Sequence, residues 1–160
     1  SSARAESSAP SCEMVTAKLA EVQSKLADAE ADKAAVTAMS EKAKAGLDLR
    51  KADFKAASEK AAAAVATAKA SFQAFKALEG TDASKEEISK AARQANTDRK
   101  AAQKALNQKK RAAEAVKKNI RIIAELEKAS FRADSRVAGI TKQLDYVTKV
   151  SDRVCAEPVV

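Results

Sequence analysis

Two thiols are the most reactive groups in this sequence, and their positions limit what they can do. Cys12 lies near the beginning of the 160 residues and Cys155 near the end. They are too far apart for a Cys-x-x-Cys redox pair or a metal knuckle, so they meet only if the fold brings the two ends of the chain together. If they do meet, the chemistry is a structural disulfide closing almost the whole chain. The alternative is two unrelated thiols, buried or exposed. A bridge over so large a loop restricts the unfolded chain by ~4–5 kcal/mol in the chain-entropy description and stops the ends from fraying. It also belongs to an oxidising setting, extracellular or periplasmic.

Other reactive constellations are missing. The sequence has no histidine, which removes the commonest general base and the commonest zinc ligand. No GxxxxGK[ST], GxGxxG or GxSxG pattern occurs, and three glycines are too few to build a phosphate-cradling loop. Carboxylates such as Asp28, Glu30 and Asp32 fall among solvent-facing positions. Paired acid and base carboxylates need a walled cleft to separate their pKa values, and a slender helical protein offers none. The expectation is therefore no enzyme, no cofactor and no metal site.

Charge is distributed unevenly. The formal net charge is +8; residues 1–80 carry 12 basic and 11 acidic side chains, and residues 81–160 carry 18 and 11. Within 85–121 the count is 12 basic to 4 acidic, and Lys109, Lys110, Arg111, Lys117, Lys118 and Arg121 are the candidate anion-binding residues. Such a stripe attracts an anionic membrane, a polyanion or an acidic partner; otherwise it is a solvated helix face. No aromatic residue falls in the stretch and no base-reading motif is present, so nucleic acid is not the favoured partner. Any binding there would be driven by backbone charge and would weaken steeply with salt.

The elements that must position these residues are helices. Of the 160 residues 40 are alanine, 32% are charged and 3% are aromatic, with two prolines. Alanine, lysine, glutamate and leucine with few breakers make long helices and coiled coils. Since so much of the apolar content is alanine, each residue buries little, and stability must come from a long contact more than from a thick core. Val15, Leu19, Val22, Leu26 and Ala29 step by four and three along one stripe, continued by Val36, Met39 and Ala43 after a polar interruption at Lys33. Gly46 either ends this helix or sits inside a continuous one, and the lack of a proline or polar loop beside it favours continuity. Phe54, Ala61, Val65, Ala68, Phe72, Phe75 and Leu78 then share one side.

Gly80-Thr81-Asp82-Ala83 is the clearest turn, and Ser84 with Glu87 forms a capping box for the next helix. Beyond it Ile88, Ala92, Ala95, Ala102, Leu106, Ala113, Val116, Ile120 and Ile123 fit one frame, with Arg99 and Lys109 in seam positions. After Ile123 the register slips to a second frame of Leu126, Ala133, Val137, Ile140, Leu144, Val147 and Val154, which makes Ser130–Gly139 a candidate break. Glu157-Pro158 ends the helix.

The fold class expected is all-α: an elongated antiparallel hairpin of two very long helices, or a four-helix bundle if broken near Gly46 and Ser130, with coiled-coil packing. Residues 1–11 are a disordered lead-in, 12–156 one helical domain and 157–160 a tail. Measured from the turn near residue 82, the arms are about 70 and 73 residues long, and at ~1.5 Å per residue both run ~100 Å, returning the cysteines to one end. The start at Ser1-Ser2-Ala3 reads as a mature or trimmed chain, so a signal or anchor would lie outside it.

The run Ala61-Ala62-Ala63-Ala64-Val65-Ala66 on a long hairpin, with Cys12 and Cys155 at its extremities, resembles the surface-coat proteins of kinetoplastid parasites. The nearest likeness is to the alanine-rich and glutamate/alanine-rich proteins of trypanosome insect stages. The resemblance is compositional and covers the helical region. It implies a surface glycoprotein family: a membrane-distal helical bundle on a lipid anchor, packed in a dense coat, with no catalytic residues to carry over. One difference is that the glutamate/alanine-rich type is acidic by name, whereas this sequence has a pI of about 9.5. No Asn-x-Ser/Thr acceptor is present either, since Asn96, Asn107 and Asn119 lack the hydroxyl residue two places on. The expected role is that of a cell-surface or secreted antigen whose partners are a host or vector ligand or neighbouring coat proteins. A polyanion binder using 85–121 and a coiled-coil oligomer, with Phe131 and Tyr146 at its interface, are the alternatives.

Overall fold

Ser11 begins the first helix, its Oγ accepting from the Met14 amide at 3.1 Å and its carbonyl from the Val15 amide at 3.0 Å. A serine there satisfies amides that the first turn of a helix leaves without partners. In the computed structural model, which describes residues 10–156, helix α1 spans Cys12–Ala77 and helix α2 spans Lys85–Val154. They pack against each other as an antiparallel hairpin. Gly46, Ser130 and Gly139 all lie inside these helices, so the four-helix alternative is excluded and the predicted break at Ser130–Gly139 does not occur. Residues 1–9 of the lead-in, the tail 157–160 and the stop at Glu157-Pro158 lie outside the described residues.

The connection between the helices follows the expected chemistry. Gly80 has φ 75°, a left-handed conformation that costs a residue with a Cβ, and Thr81 Oγ1 donates to the Leu78 carbonyl at 2.7 Å. Ser84 Oγ accepts from the Glu87 amide at 3.2 Å. That is one half of the predicted capping box; among the described residues Glu87 makes no return bond to Ser84.

Burial along both helices follows a repeat of seven. In α2 every position of two rows is buried or half-buried: Ile88, Ala95, Ala102, Lys109 and onward by sevens to Ser151, and Ala91, Asp98, Ala105, Ala112, Asn119, Leu126 and onward to Val154. The register slip predicted after Ile123 is therefore absent. A single frame runs from Ile88 to Val154, and its two rows take polar residues where they arise. Ala92, Leu106, Ala113 and Ile120 lie one position off the second row, and Leu106 and Ile120 are exposed. Arg99, predicted at the seam, is exposed and donates to Asn96 Oδ1 at 3.1 Å, whereas Lys109 is half-buried as expected. In α1 the same repeat passes through Ser40, Ala64 and Ser71 and leaves Met39, Val65 and Phe72 exposed.

By contact density the chain divides into two units. One comprises described residues 10–41 with 124–156; its core is Val15, Val22 and Val147, against which Leu19, Ile140, Leu144, Val150 and Val154 pack. Across its seam Lys33 pairs with Asp134 at 3.2 Å and Arg136 with Asp32 at 2.8 Å, exposed pairs worth under about 1 kcal/mol each. On its surface the Lys25 hydrogen bond, then the charges of Lys18 and Lys25, hold the Glu21 carboxyl below its ordinary value. Its small contribution to stability is thus present above that ordinary value and fades as pH falls through the lowered one.

The other unit comprises residues 42–123. Its buried side chains are Ala61, Ala95, Ala102 and Ala105, so it gains little per residue and depends on close approach. Two of its polar seam contacts cross between the helices, while the Ser58 hydroxyl is buried with no partner. Ser71 Oγ donates to Asp98, which also accepts from Gln94 Nε2 at 3.0 Å, and Asn119 Nδ2 donates to the Ala43 carbonyl at 2.9 Å. A polar residue bonded across an apolar seam costs stability but disfavours other registers.

Two glycine substitutions separate the helical from the turn role. Gly139→Ala, whose new methyl meets nothing within 4 Å inside α2, should raise the unfolding free energy by about 0.5–1 kcal/mol. Gly80→Ala should lower it by about 1–2 kcal/mol, because a Cβ is forced into the left-handed region. Urea denaturation followed by circular dichroism measures both.

Candidate functional site

Three surface features gather the chemistry of this chain. The first is the pair of helix ends in the unit formed by 10–41 and 124–156. Cys12 opens α1 and Cys155 follows directly after α2, so the antiparallel pairing brings their sulfurs to 2.00 Å with the Cα atoms 5.0 Å apart. The two thiols are thus a pair at disulfide distance across 143 residues. Hydroxyls flank the sulfurs: Thr16 Oγ1 lies 3.9 Å from each, and Ser151 Oγ lies 3.9 Å from Cys155. Thr16 also donates to the Cys12 carbonyl at 2.7 Å, which ties the first turn of α1 to the bridge.

Beside the pair lies the second feature, a shallow apolar groove of about 450 Å³ lined by Met14, Val15, Tyr146, Val147 and Val150 among others. Tyr146 and Met14 are about two-thirds exposed there, and Phe131, in the same unit, is 74% exposed. An aromatic residue at helical spacing is more often core, yet Phe131 and Tyr146 both sit on the outward side of α2, away from the two buried rows.

The third feature belongs to the unit of residues 42–123. With the two buried rows of α2 fixed, its outward side between Ser89 and Arg121 consists of 15 positions, all exposed. Nine of them are basic: Lys90, Arg93, Lys100, Lys104, Lys110, Arg111, Lys117, Lys118 and Arg121. One is acidic, Glu114, and the remaining five, Ser89, Asn96, Thr97, Gln103 and Asn107, are uncharged and polar. Five of the six predicted anion-binding residues share this outward side, whereas Lys109 belongs to the seam. Sequence reasoning missed Lys90, Arg93, Lys100 and Lys104 as members of the same surface; the signal was their spacing relative to the buried rows, which the misplaced second row concealed.

Folding also redistributes the charge. Residues 42–123 hold 20 Lys and Arg against 9 Asp and Glu, a net +11, while 1–41 with 124–160 hold 10 against 13, a net −3. Together these give the +8 of the whole chain. Every ion pair on α2 lies at or beyond Glu125, so among the described residues no base on the outward side from Lys90 to Arg121 is paired with a carboxylate.

Among the described residues no group of three or more His, Cys, Asp or Glu side chains is placed to hold a metal, and no helix is long and apolar enough to cross a membrane. No charged side chain is buried there either. Of the architectures weighed from the sequence, the fold and the cysteine pair define an antiparallel helical hairpin with its two ends at bonding distance. No family model, no curated protein and no solved structure matches the chain.

Breaking the pair should release the ends of the helices. Cys12→Ser is expected to lower the unfolding free energy by up to ~5 kcal/mol, the chain-entropy value for so large a loop. Hydrogen exchange should speed up first in the turns next to Cys12 and Cys155, while the turn around Gly80 stays unchanged.

Proposed function

We propose that this is a non-enzymatic protein of the cell surface or the secreted compartment, which works by presenting its outward helix faces to a host or vector ligand or to neighbouring copies. The observation that carries the reading is the Cys12–Cys155 pair at bonding distance, with Cys12 exposed to solvent and Cys155 half-exposed. An accessible bridge of this kind persists where the redox poise is oxidising and is reduced by cytosolic thiols. The likeness in composition to trypanosome surface-coat proteins supports the same reading and adds a lipid-anchored coat as its particular form. Small residues at the seam support it too, since they let two helices approach closely and leave a large outward surface per residue.

A second reading is favoured by the exposed aromatics. Phe131 and Tyr146 are 74% and 67% exposed, more than an isolated helix face needs, and they suit contact with another copy of the chain or with a scaffold partner. Light scattering across a concentration series decides it: a strict monomer at high concentration leaves the oligomer without support.

Surface labelling of intact source cells with a membrane-impermeant amine reagent, followed by non-reducing mass spectrometry, tests the main proposal. The expected result is a labelled chain lacking two thiol hydrogens. An unlabelled chain with both sulfurs free would overturn it.

A further inference from the structure

We infer that the outward side of α2 between Lys90 and Arg121 is a binding surface for a linear sulfated polysaccharide, with the groove from Lys100 to Arg111 at its centre. This deepens the surface or secreted reading and rests on it, because sulfated polysaccharides lie outside cells.

Four observations fix the chemistry of the ligand. The surface bears nine bases and one acid, and among the described residues none of those bases is paired with a carboxylate, so its charge is available to an anion. The charge is linear: Lys90, Lys104, Arg111 and Lys118 stand in one row at spacings of fourteen and seven residues, about 21 Å and about 10 Å along the helix. A row of that kind suits a polymer carrying anions at regular intervals better than a single phosphate or a compact acidic patch.

The centre of the row is also a shallow groove lined by Lys100, Gln103, Lys104, Asn107, Gln108 and Arg111, three cations interspersed with three amides. Cations pair with sulfates, while amides both donate to and accept from ring hydroxyls, the mixed requirement of an anionic sugar. Lastly, none of the 15 outward positions is apolar or aromatic. Without an aromatic platform there is nothing on which nucleic acid bases can stack, and the two large aliphatic side chains exposed in this stretch, Leu106 and Ile120, lie beside the seam and are too few to carry the surface into a bilayer. The alanine-rich outward side of α1, with Ala62, Ala63 and Ala66 exposed, offers no comparable charge.

The test uses the whole oxidised chain and heparin as the probe, titrated by calorimetry across a salt series, with desulfated heparin, duplex DNA and vesicles containing phosphatidylserine as comparison ligands. Heparin is expected to bind at physiological salt, and desulfated heparin, DNA and vesicles to bind at least tenfold more weakly. The triple variant Lys100→Gln, Lys104→Gln, Arg111→Gln changes exposed positions only, and circular dichroism checks that its helix content is kept. It should bind heparin at least tenfold more weakly and reduce the slope of log affinity against log salt by about two to three. The control triple Lys128→Gln, Lys142→Gln, Lys149→Gln, in the other unit, should stay within twofold of the parent.

No heparin binding at physiological salt overturns the inference, and so does an equal loss in the control triple. DNA binding as tightly as heparin would overturn it in favour of a nucleic acid, and vesicle binding of equal strength in favour of a membrane. Surface labelling of source cells reads the underlying proposal independently, so a labelled chain that ignores heparin sinks this inference alone.

Discussion

Everything in this molecule depends on two helices having one stripe each with which to leave water. Among the described residues the chain turns back once and supplies no third element to cover a second stripe, so each helix buries about two positions in seven. In α2 those positions are kept from Ile88 to Val154 even where the sequence supplies Asp98, Lys109, Asn119, Ser130 and Ser151. The backbone repeat, and not the size of the side chain, decides which residues go inside. Some polar residues on the seam find a partner, as Asn119 does in the Ala43 carbonyl, or extend a long stem toward water, as Lys33 does toward Asp134, while the Ser58 hydroxyl is buried without one.

The two units solve this packing problem with different materials. Residues 10–41 and 124–156 use valine, leucine and isoleucine at the seam, and their helix ends carry the cysteine pair. Residues 42–123 use chiefly alanine, with Phe54 and Phe75 half-buried among it, and hold their register through Ser71, Asp98 and Asn119. An alanine seam buries little area, so a bonded polar pair is a large part of what distinguishes one register from its neighbours. The same unit carries a net +11, and with the seam fixed most of the α2 share of that charge is turned outward. Packing and surface chemistry are thus two consequences of one frame.

Large parts of this were legible in advance. Helix type, the turn at Gly80, the cap at Ser84 and the meeting of Cys12 with Cys155 all follow from local signals: composition, a glycine that tolerates positive φ, a serine before an acidic first turn, and arms of matched length. The seam was read less well, and the errors share a cause. Choosing the larger apolar side chain at each ambiguous step selected Met39, Val65, Phe72, Leu106 and Ile120, all of which lie exposed, and passed over Ser40, Ala64, Ser71, Ala105 and Asn119. In a sequence this rich in alanine, hydrophobic contrast between adjacent positions is too weak to locate a stripe. The slip placed after Ile123 was the result of joining one correct row to a wrong one.

By itself, then, the sequence determined that the chain is helical, where it turns, and that its ends carry a matched pair of thiols, because propensity, capping and chain length act within a few residues or along a single helix. Only the tertiary structure decided which alanines are core, that Asp98 and Asn119 belong inside, that Gly46 and Ser130 break nothing, and that nine scattered bases form one exposed surface. Those are properties of a register between two helices. A register is set by the summed fit of many small contacts across the seam, and no single residue announces it.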